Sequence, residues 1–526
     1  MAVSCFRKSL YVMVVFPTIT SRKQIIKKTV NGKVYVYERT PYYDRTLKNT
    51  KYHYRYVGKE VNGVPRRVRS VLPRRSLVSG PFIPIMKIVR DMGIEDILKL
   101  HLTEPEARHV LALAISKVVR PLPQASINTW YEGTHLSVLV PASLTSQRNS
   151  DLMEKIGLSD LYRKFSHDLV ERLHPGDSLL YDTTSIPSYS SLDIFEYGHA
   201  KDHPDLEQVN LSMVMERNRR VPLYFEMYSG SIPDVVTLRR TMDRVKPMIP
   251  GIEIILDRGF FSLDNLKLLG GMRYIIAASM VRKEVRSVFS KASRTVDRSD
   301  NVILYEDSPI FCQRVEFTMD DIRLQCFFYH DVRSEGEERS DFHRKITERR
   351  KEIEKLQVRK GIRRTIEGIA GSYMRYISYD MVDGRITTAA RDNAISAAEN
   401  RMGRFLLVYM GDYSGSECLS LYRQRDVIEK AFRSLKTDLD IFPLRNHKES
   451  TIRGILFVFF ISLIIRSALL RGMESSGLLK KYSLERMILE LEKLHVMEDQ
   501  NGNLSELERT KRQRDILEAL EGISWW

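Results

Sequence analysis

Residues 421–439 read LYRQRDVIEKAFRSLKTDL, and the spacing predicts one helix. At about 100° per residue, with Tyr422 at zero, Arg425 falls near 300°, Glu429 near 340° and Lys436 near 320°, so four polar side chains share an arc of about 60°. Leu421, Ile428, Phe432, Leu435 and Leu439 gather between about 220° and 280°. Such a helix buries its apolar stripe and presents a Tyr-Arg-Glu-Lys row at the rim of a cleft. A glutamate between two cations is also what an ordinary i, i+4 ion-pair face looks like, worth about 0.2–0.5 kcal/mol per pair, and in isolation that account prevails. Two aspartates change the balance. Asp182 follows the apolar run SLLY and Asp257 follows IEIIL. A carboxylate at a strand end commonly caps or turns the chain, but three of them, on two strands and one helix, are stronger grounds for a chemical site.

The elements around these residues form an order. From 178 a strand SLLYD leads to a hairpin-like pair, QVNLSMVMER and VPLYFEMYSG, and then to a helix that Asp234 could cap. The strand IEIIL, a short helix after Ser262 and the run YIIAAS at 274–279 complete a βββαβ(α)β sequence. Between 281 and 400 the pattern breaks into candidate strands (NVILYED, RLQCFFYH, SYMRYISYD) and a long charged helix near 337–368. FLLVYM at 405–410 then leads into the Tyr-Arg-Glu-Lys helix.

Upstream, residues 23–72 are basic and β-rich, with Asn31-Gly32 and Asn62-Gly63 as hairpin turns. Their tyrosines alternate with lysines and arginines, a mix that suits either a nucleic-acid surface or ordinary cross-strand pairs. Thr103 and Glu106 form a capping box before ARHVLALAISKVV, and helix is expected through 125–175. The opening run MAVSCFRKSLYVMVVFPTI reads as a strand.

At 526 residues the chain is too long for one core. Its 83 Lys and Arg against 67 Asp and Glu, a net charge of +16, favour a polyanionic partner: nucleic acid first, an anionic membrane surface as rival. Four scattered cysteines without zinc-ligand spacing suit a reduced cytosolic compartment. The apolar run Ile455 to Ile465 ends at Arg466 and is far short of a membrane span of roughly 20 residues, so it reads as a core helix.

The spacing Y-x2-R-x3-E-x6-K from Tyr422 to Lys436, preceded by Asp182-Thr183-Thr184 and Asp257-Arg258-Gly259-Phe260, resembles the DDE transposases of prokaryotic insertion sequences that carry the YREK motif. The likeness extends over roughly 100–480 and includes GHAKDHPDLEQVNL (198–211) and RNHKESTIRGILFVFFISLI (445–464). It implies a mixed α/β (α+β) fold: an RNase H-like catalytic core split by a β-rich and helical insertion, behind an N-terminal β-hairpin and helical DNA-binding region. The expected divisions are 1–100 basic and β-rich, 101–175 helical, 176–280 first part of the core and 281–415 insertion. A second core part with the YREK helix follows at 416–475, then a C-terminal helical region at 476–526 whose stretch 483–497 could serve dimerisation.

The resemblance further implies that Asp182, Asp257 and Glu429 are the catalytic, metal-binding triad and that Tyr422, Arg425 and Lys436 contact the terminal DNA of the element. Lys201 is a candidate phosphate contact. Three hard carboxylates can hold two Mg²⁺ ions, with Mn²⁺ as substitute, for cleavage at element ends and strand transfer into target DNA. The expected partners are double-stranded terminal repeats and target DNA and a second copy of the chain in a homodimeric synaptic complex, in the cytoplasm with the nucleoid and not at a membrane. Family members stack a tryptophan of the insertion on a flipped base. Here the tryptophans are Trp130, Trp525 and Trp526, which leaves Tyr409 or Tyr413 as substitutes. A histidine-aspartate group, His199, Asp202, His203 and Asp205, reads as a polar loop rather than a metal site. Two competing functions stand beside transposition: a metal-dependent RNase H-like nuclease that only hydrolyses, and a transposase-derived DNA-binding protein without catalysis.

Overall fold

The computed structural model describes the chain apart from residues 1–22, 31, 45–47, 62, 67–72, 190–191, 198–205, 383 and 440–447. The strand expected at the extreme N terminus, Lys201 and the histidine-aspartate group of 199–205 therefore lie outside the described residues. Two compact units are present, Met1–Ser76 with Met497–Ser505, and Leu77–Val496 with Glu506–Trp526.

The smaller unit carries an antiparallel sheet in the order β1 (Gln24–Val30), β2 (Lys33–Asp44), β3 (Asn49–Val61) and β4 (Val64–Arg66). Gly32 and Gly63 take φ of 73° and 79°, which lets two-residue turns close the pairs Val30↔Lys33 and Val61↔Val64. The alternating cations and tyrosines meet across strands: Lys28 Nζ lies 4.8 Å from the Tyr54 ring centre and the Arg39 guanidinium 4.1 Å from that of Tyr52.

After β5 (Pro73–Val78) the chain turns helical, well before the expected boundary at 100, through α1 (Phe82–Asp91), α2 (Ile94–His101), α3 (Glu104–Val119), α4 (Gln124–Glu132), α5 (Leu136–Leu139), α6 (Ser146–Gly157) and α7 (Leu161–Leu173). The Thr103–Glu106 capping box opens α3. Next come β6 (Ser178–Pro187), β7 (Gln208–Glu216), β8 (Val221–Ser229), α8 (Asp234–Val245), β9 (Glu253–Leu256), α9 (Leu263–Leu268) and β10 (Arg273–Ala277). The cap of α8 is Pro233, so Asp234 is its first residue and not its cap. Then follow α10 (Lys283–Ala292), β11 (Val302–Tyr305), β12 (Ser308–Met319), β13 (Ile322–His330), α11 (Val332–Glu354), α12 (Ile362–Ala370), β14 (Ile377–Val382), β15 (Arg385–Ala390), α13 (Asp392–Glu399) and β16 (Arg404–Met410). The last elements used below are α14 (Gly415–Arg423), α15 (Asp426–Arg433), α16 (Glu449–Ser475) and α17 (Leu484–Glu492).

Nine strands form one sheet in the order β11-β12-β13-β16-β10-β9-β6-β7-β8, in which β6, β9 and β10 run parallel and the remaining neighbours antiparallel. Strand alternation sends side chains to opposite faces. Leu180, Ile255 and Ile275 join one apolar cluster with α3, α15 and α16, while Leu179, Tyr181, Ile254 and Ile276 join another with α8, α9 and α10. Both faces are thus covered by helices. The strands β11 to β13, expected inside a separate insertion, extend this same sheet, because β13 pairs with β16 through registers such as Phe327↔Leu407. The segment with a core of its own is narrower: Phe342, Ile346, Ile353, Ile366, Ile377 and Ile386 cluster among α11, α12, β14 and β15. The single charged helix expected at 337–368 is two helices, interrupted by Gly361 at φ 82°.

The helix α16 has 27 residues and is long and apolar enough to cross a membrane, yet 83% of its apolar window is buried by the protein around it. Its Arg466 is buried and paired with Asp438 and Glu485, at 2.6 and 2.8 Å. In α17 the apolar residues Leu484, Met487, Ile488 and Leu491 pack into the chain's own core, so the face expected to serve dimerisation is already covered.

Candidate active site

The two aspartates are neighbours because their strands are. β6 and β9 are adjacent and parallel with Leu180 opposite Ile255, and that register carried two residues further sets Asp182 beside Asp257. Asp182 is inside its strand rather than after it, opposite Met213 of β7. It shares strand parity with Leu180, hence the face covered by α15 and α16. Asp257 is the first residue past β9 and leads a 3₁₀ turn, Arg258–Phe260.

Glu429 reaches the same place from α15. The expected single helix over 421–439 is instead three pieces: α14, then α15, then a π turn at Ser434–Asp438. At the first junction the amides of Arg425, Val427 and Ile428 bond three residues back, to Tyr422, Gln424 and Arg425, which tightens the chain there. At the second, the Leu439 amide donates to Ser434, five residues back. The apolar stripe survives both irregularities, with Ile428, Phe432, Leu435 and Leu439 buried. The polar row does not stay a straight stripe. Lys436 sits on the π turn, out of phase with an ideal wheel, while Lys430 pairs with Asp426 at 2.6 Å on an exposed face.

Arg425 ties the carboxylates together. Its Nη1 lies 3.6 Å from Asp182 Oδ2, and its Nη2 lies 3.6 Å from Asp257 Oδ1 and 2.6 Å from Glu429 Oε1. The Tyr422 hydroxyl donates to Asp257 Oδ1 at 3.4 Å, and its ring lies under the Arg425 guanidinium. Five of the residues read from the sequence, Asp182, Asp257, Tyr422, Arg425 and Glu429, therefore meet.

The electrostatics are those of a site short of positive charge. Burial pushes the Asp182 carboxyl up to about 7, against the Thr183 amide, which donates to it at 2.8 Å, and the Arg425 charge, while Asp257 and Glu429 push it further up. Burial also pushes Tyr422 up to about 12, with Asp257 adding to the effect. Arg425 is half-buried, and this desolvation by itself lowers its pKa, but the surrounding Asp257, Tyr422, Asp182 and Glu429 raise it on balance; its Nε has no hydrogen-bond partner. Such a donor set suits a hard divalent cation: three carboxylates converge, one is largely withdrawn from water with its charge poorly compensated, and no soft ligand is among them. Arg425 and a metal ion would compete for the same oxygens.

Reading the sequence missed the supports of this arrangement. Gln424, at the helix junction, accepts from Arg217 Nη1 at 2.8 Å, and Arg217 Nε donates to Ser178 at the base of β6. Nothing in local spacing marks Arg217, since the contact joins residues 207 apart. Neither tyrosine proposed for base stacking is free: the Tyr409 ring is buried against Phe327 at 4.7 Å, and the Tyr413 hydroxyl donates to Glu253 at 2.6 Å.

Among curated proteins, none matches this chain. Of solved structures, the cryo-EM structure of a piggyBac transposase synaptic complex with hairpin DNA is similar at 10% identity and a TM-score of 0.38, over 78% of this chain and 79% of that one. The family model described as transposase DDE domain matches residues 174–465, more than half of the chain and a span that holds every element of the carboxylate cluster. The chain belongs to the DDE-domain transposase family.

Proposed function

We propose that this transposase cuts DNA at the ends of an insertion sequence of the YREK type and joins the freed 3′-OH to target DNA, with Asp182, Asp257 and Glu429 as its metal-holding triad. One observation carries the reading: carboxylates from β6, from the end of β9 and from α15 converge on a single guanidinium. The sheet order β8-β7-β6-β9-β10, antiparallel on one side of β6 and parallel on the other, supports an RNase H-like core.

The triad would hold two Mg²⁺ ions, or Mn²⁺, and the chemistry these would supply is activation of a water or a 3′-OH and stabilisation of the leaving oxygen. Asp182 supplies the buried carboxylate and fixes the position from within the sheet. Asp257 and Glu429, more exposed, face the DNA side. Arg425, whose guanidinium reaches all three carboxylates, would offer its two-pronged donor to a phosphate and align the scissile bond. Tyr422 and Lys436 flank the same DNA strand, with Lys201 as an additional phosphate contact. The basic, tyrosine-rich sheet β1–β4 and the helices that follow it, within residues 1–150, recognise the element ends, and two copies assemble in the synaptic complex at the nucleoid.

The test is an assay with a labelled end substrate and a separate 3′-OH donor in Mg²⁺. Cleavage and strand transfer by the full chain, both abolished by Asp182→Asn, Asp257→Asn and Glu429→Gln while end binding persists, is the expected result. Cleavage without strand transfer would make the protein a nuclease, and binding without either would make it a DNA-binding derivative.

A further inference from the structure

We propose that the exposed side of α7 is a second divalent-metal site, of the imidazole–carboxylate kind, at the opposite end of the sheet from the triad. His167, Asp168 and Glu171 each offer one donor atom, and the three atoms lie within 4.8 Å of one another. Helical geometry brings this about: His167 and Glu171 are four residues apart and stack on one face, and His167 Nδ1 approaches Asp168 Oδ1 at 3.3 Å. His101, the last residue of α2, bonds the other Asp168 oxygen through Nε2. A ligand carboxylate held from behind by an imidazole is how outer partners orient metal ligands.

The surroundings leave room for a ligand. His174 caps α7 in the left-handed region at φ 43°, and with His167, Glu171 and Pro247–Pro250 it lines a cavity of about 410 Å³ beside the cluster. Three protein donors around one ion leave a coordination position open to that cavity. Imidazole among the donors selects Zn²⁺, Co²⁺ or Ni²⁺ over Mg²⁺, whereas the all-carboxylate triad selects the hard ion. The two sites cannot share an ion. His174 and Pro250 precede the starts of β6 and β9, and Asp182 and Asp257 lie four residues beyond those starts, roughly 13 Å along at the rise of a β-strand.

Equilibrium dialysis of the full chain against Zn²⁺ in excess Mg²⁺, carried out in parallel with Asp182→Asn, separates this site from the triad. One tightly held Zn²⁺ is expected, and Co²⁺ in its place should give visible absorption bands of a low-coordinate, imidazole-bound ion. His167→Ala and Glu171→Gln, both at exposed positions and checked by circular dichroism, should weaken Zn²⁺ binding by about tenfold or more, and His101→Ala by a similar factor through the loss of its hold on Asp168. Asp182→Asn should leave this Zn²⁺ in place. Equal Zn²⁺ affinity in wild type, His167→Ala and Glu171→Gln, or loss of the ion in Asp182→Asn, would overturn the proposal. Neither result bears on Mg²⁺-dependent DNA cleavage.

Discussion

Two carboxylates set into the same sheet are treated in opposite ways. Glu226 on β8 is enclosed by donors: the hydroxyls of Tyr162 and Tyr224 and the guanidinium of Arg163, whose Nη2 lies 2.9 Å away. Three donors offset the loss of water, and two of them come from α7, so the charge also fastens that helix to the sheet. Asp182 receives one amide, Thr183, and an arginine that it shares with two other carboxylates. Its pKa is pushed up to about 7 by burial. A chain that can build the first environment and does not do so at Asp182 leaves a deficit of positive charge at the place proposed to take a cation.

The largest expected effect that separates the two is chemical. Asp182→Asn should lower metal-dependent DNA cleavage by several orders of magnitude, because an amide cannot replace a charged metal ligand. The same change should leave thermal stability equal or higher, since it removes a poorly compensated buried charge. Glu226→Gln should do the reverse. It weakens the hydrogen bonds from three residues to a charged acceptor and should cost about 1.5–3 kcal/mol in denaturant titration while the cleavage rate of the folded fraction holds. If Asp182→Asn instead unfolds the protein, or Glu226→Gln spares its stability, the contrast is lost.

Arg425 links the two principles, and its removal ranks next. Arg425→Ala would take away the proposed charge-assisted phosphate contact, worth about 1.5–3 kcal/mol, or about ten- to hundredfold in single-turnover cleavage if it acts in the transition state. Lys430→Ala, at a residue paired with Asp426 on the exposed face, should change the rate less than about twofold. Equal losses for both would mean that the Arg425 row does not face the scissile phosphate.

The pH dependence sharpens the difference without touching DNA. In chelator the folded Asp182 titrates near 7 and the unfolded one near 4, so its folded pKa is the raised one. Its contribution to stability is complete below about pH 4 and is lost as pH rises through about 7. Wild-type stability measured against Asp182→Asn should therefore fall by on the order of 2 kcal/mol between about pH 5 and pH 8, and Mg²⁺ at the upper pH should restore it. A flat difference across that range would mean that Asp182 is compensated as well as Glu226.

How far these features were legible in the sequence depended on range. Local chemistry read well: the Asn-Gly turns, the Thr103–Glu106 cap and the buried stripe Ile428, Phe432, Leu435 and Leu439 follow from neighbours a few residues apart. The meeting of Asp182, Asp257 and Glu429 was readable only through their joint spacing and a family resemblance, because no residue type at one position implies it. Other features were not readable. A helical wheel assumes ideal geometry, and the tightened junction after Tyr422 and the π turn at Ser434–Asp438 break that assumption. The hairpins β11–β13 looked like a separate insertion because the partner that absorbs them, β16, lies some 75 residues downstream of β13. Glu226 carried no signal at all, since its donors Tyr162 and Arg163 come from a different element 63–64 residues earlier.

That last kind of long-range support also sets the smallest expected effect. Gln424 lies at the junction where α14 gives way to α15, one residue before Arg425 and five before Glu429. Arg217 holds it at 2.8 Å and is itself anchored to the Ser178 hydroxyl, which donates to Glu253 at the base of β9; the Tyr413 hydroxyl, just before α14, donates to the same carboxylate. The starts of the two aspartate strands and the approach to the glutamate helix are thereby joined by one hydrogen-bonded chain. Gln424→Ala removes a single bond to a charged donor and should let the junction shift without exposing the apolar stripe. Single-turnover cleavage should then fall about three- to tenfold, with Mg²⁺ affinity, end binding and melting temperature unchanged. Gln424→Glu keeps an acceptor for Arg217 and should recover most of the rate, which a merely structural role for the side chain would not explain. Full activity in Gln424→Ala would show that packing of Ile428 and Phe432 alone aims Arg425 and Glu429. The deficit at Asp182 would then be maintained by the core rather than by this polar strut.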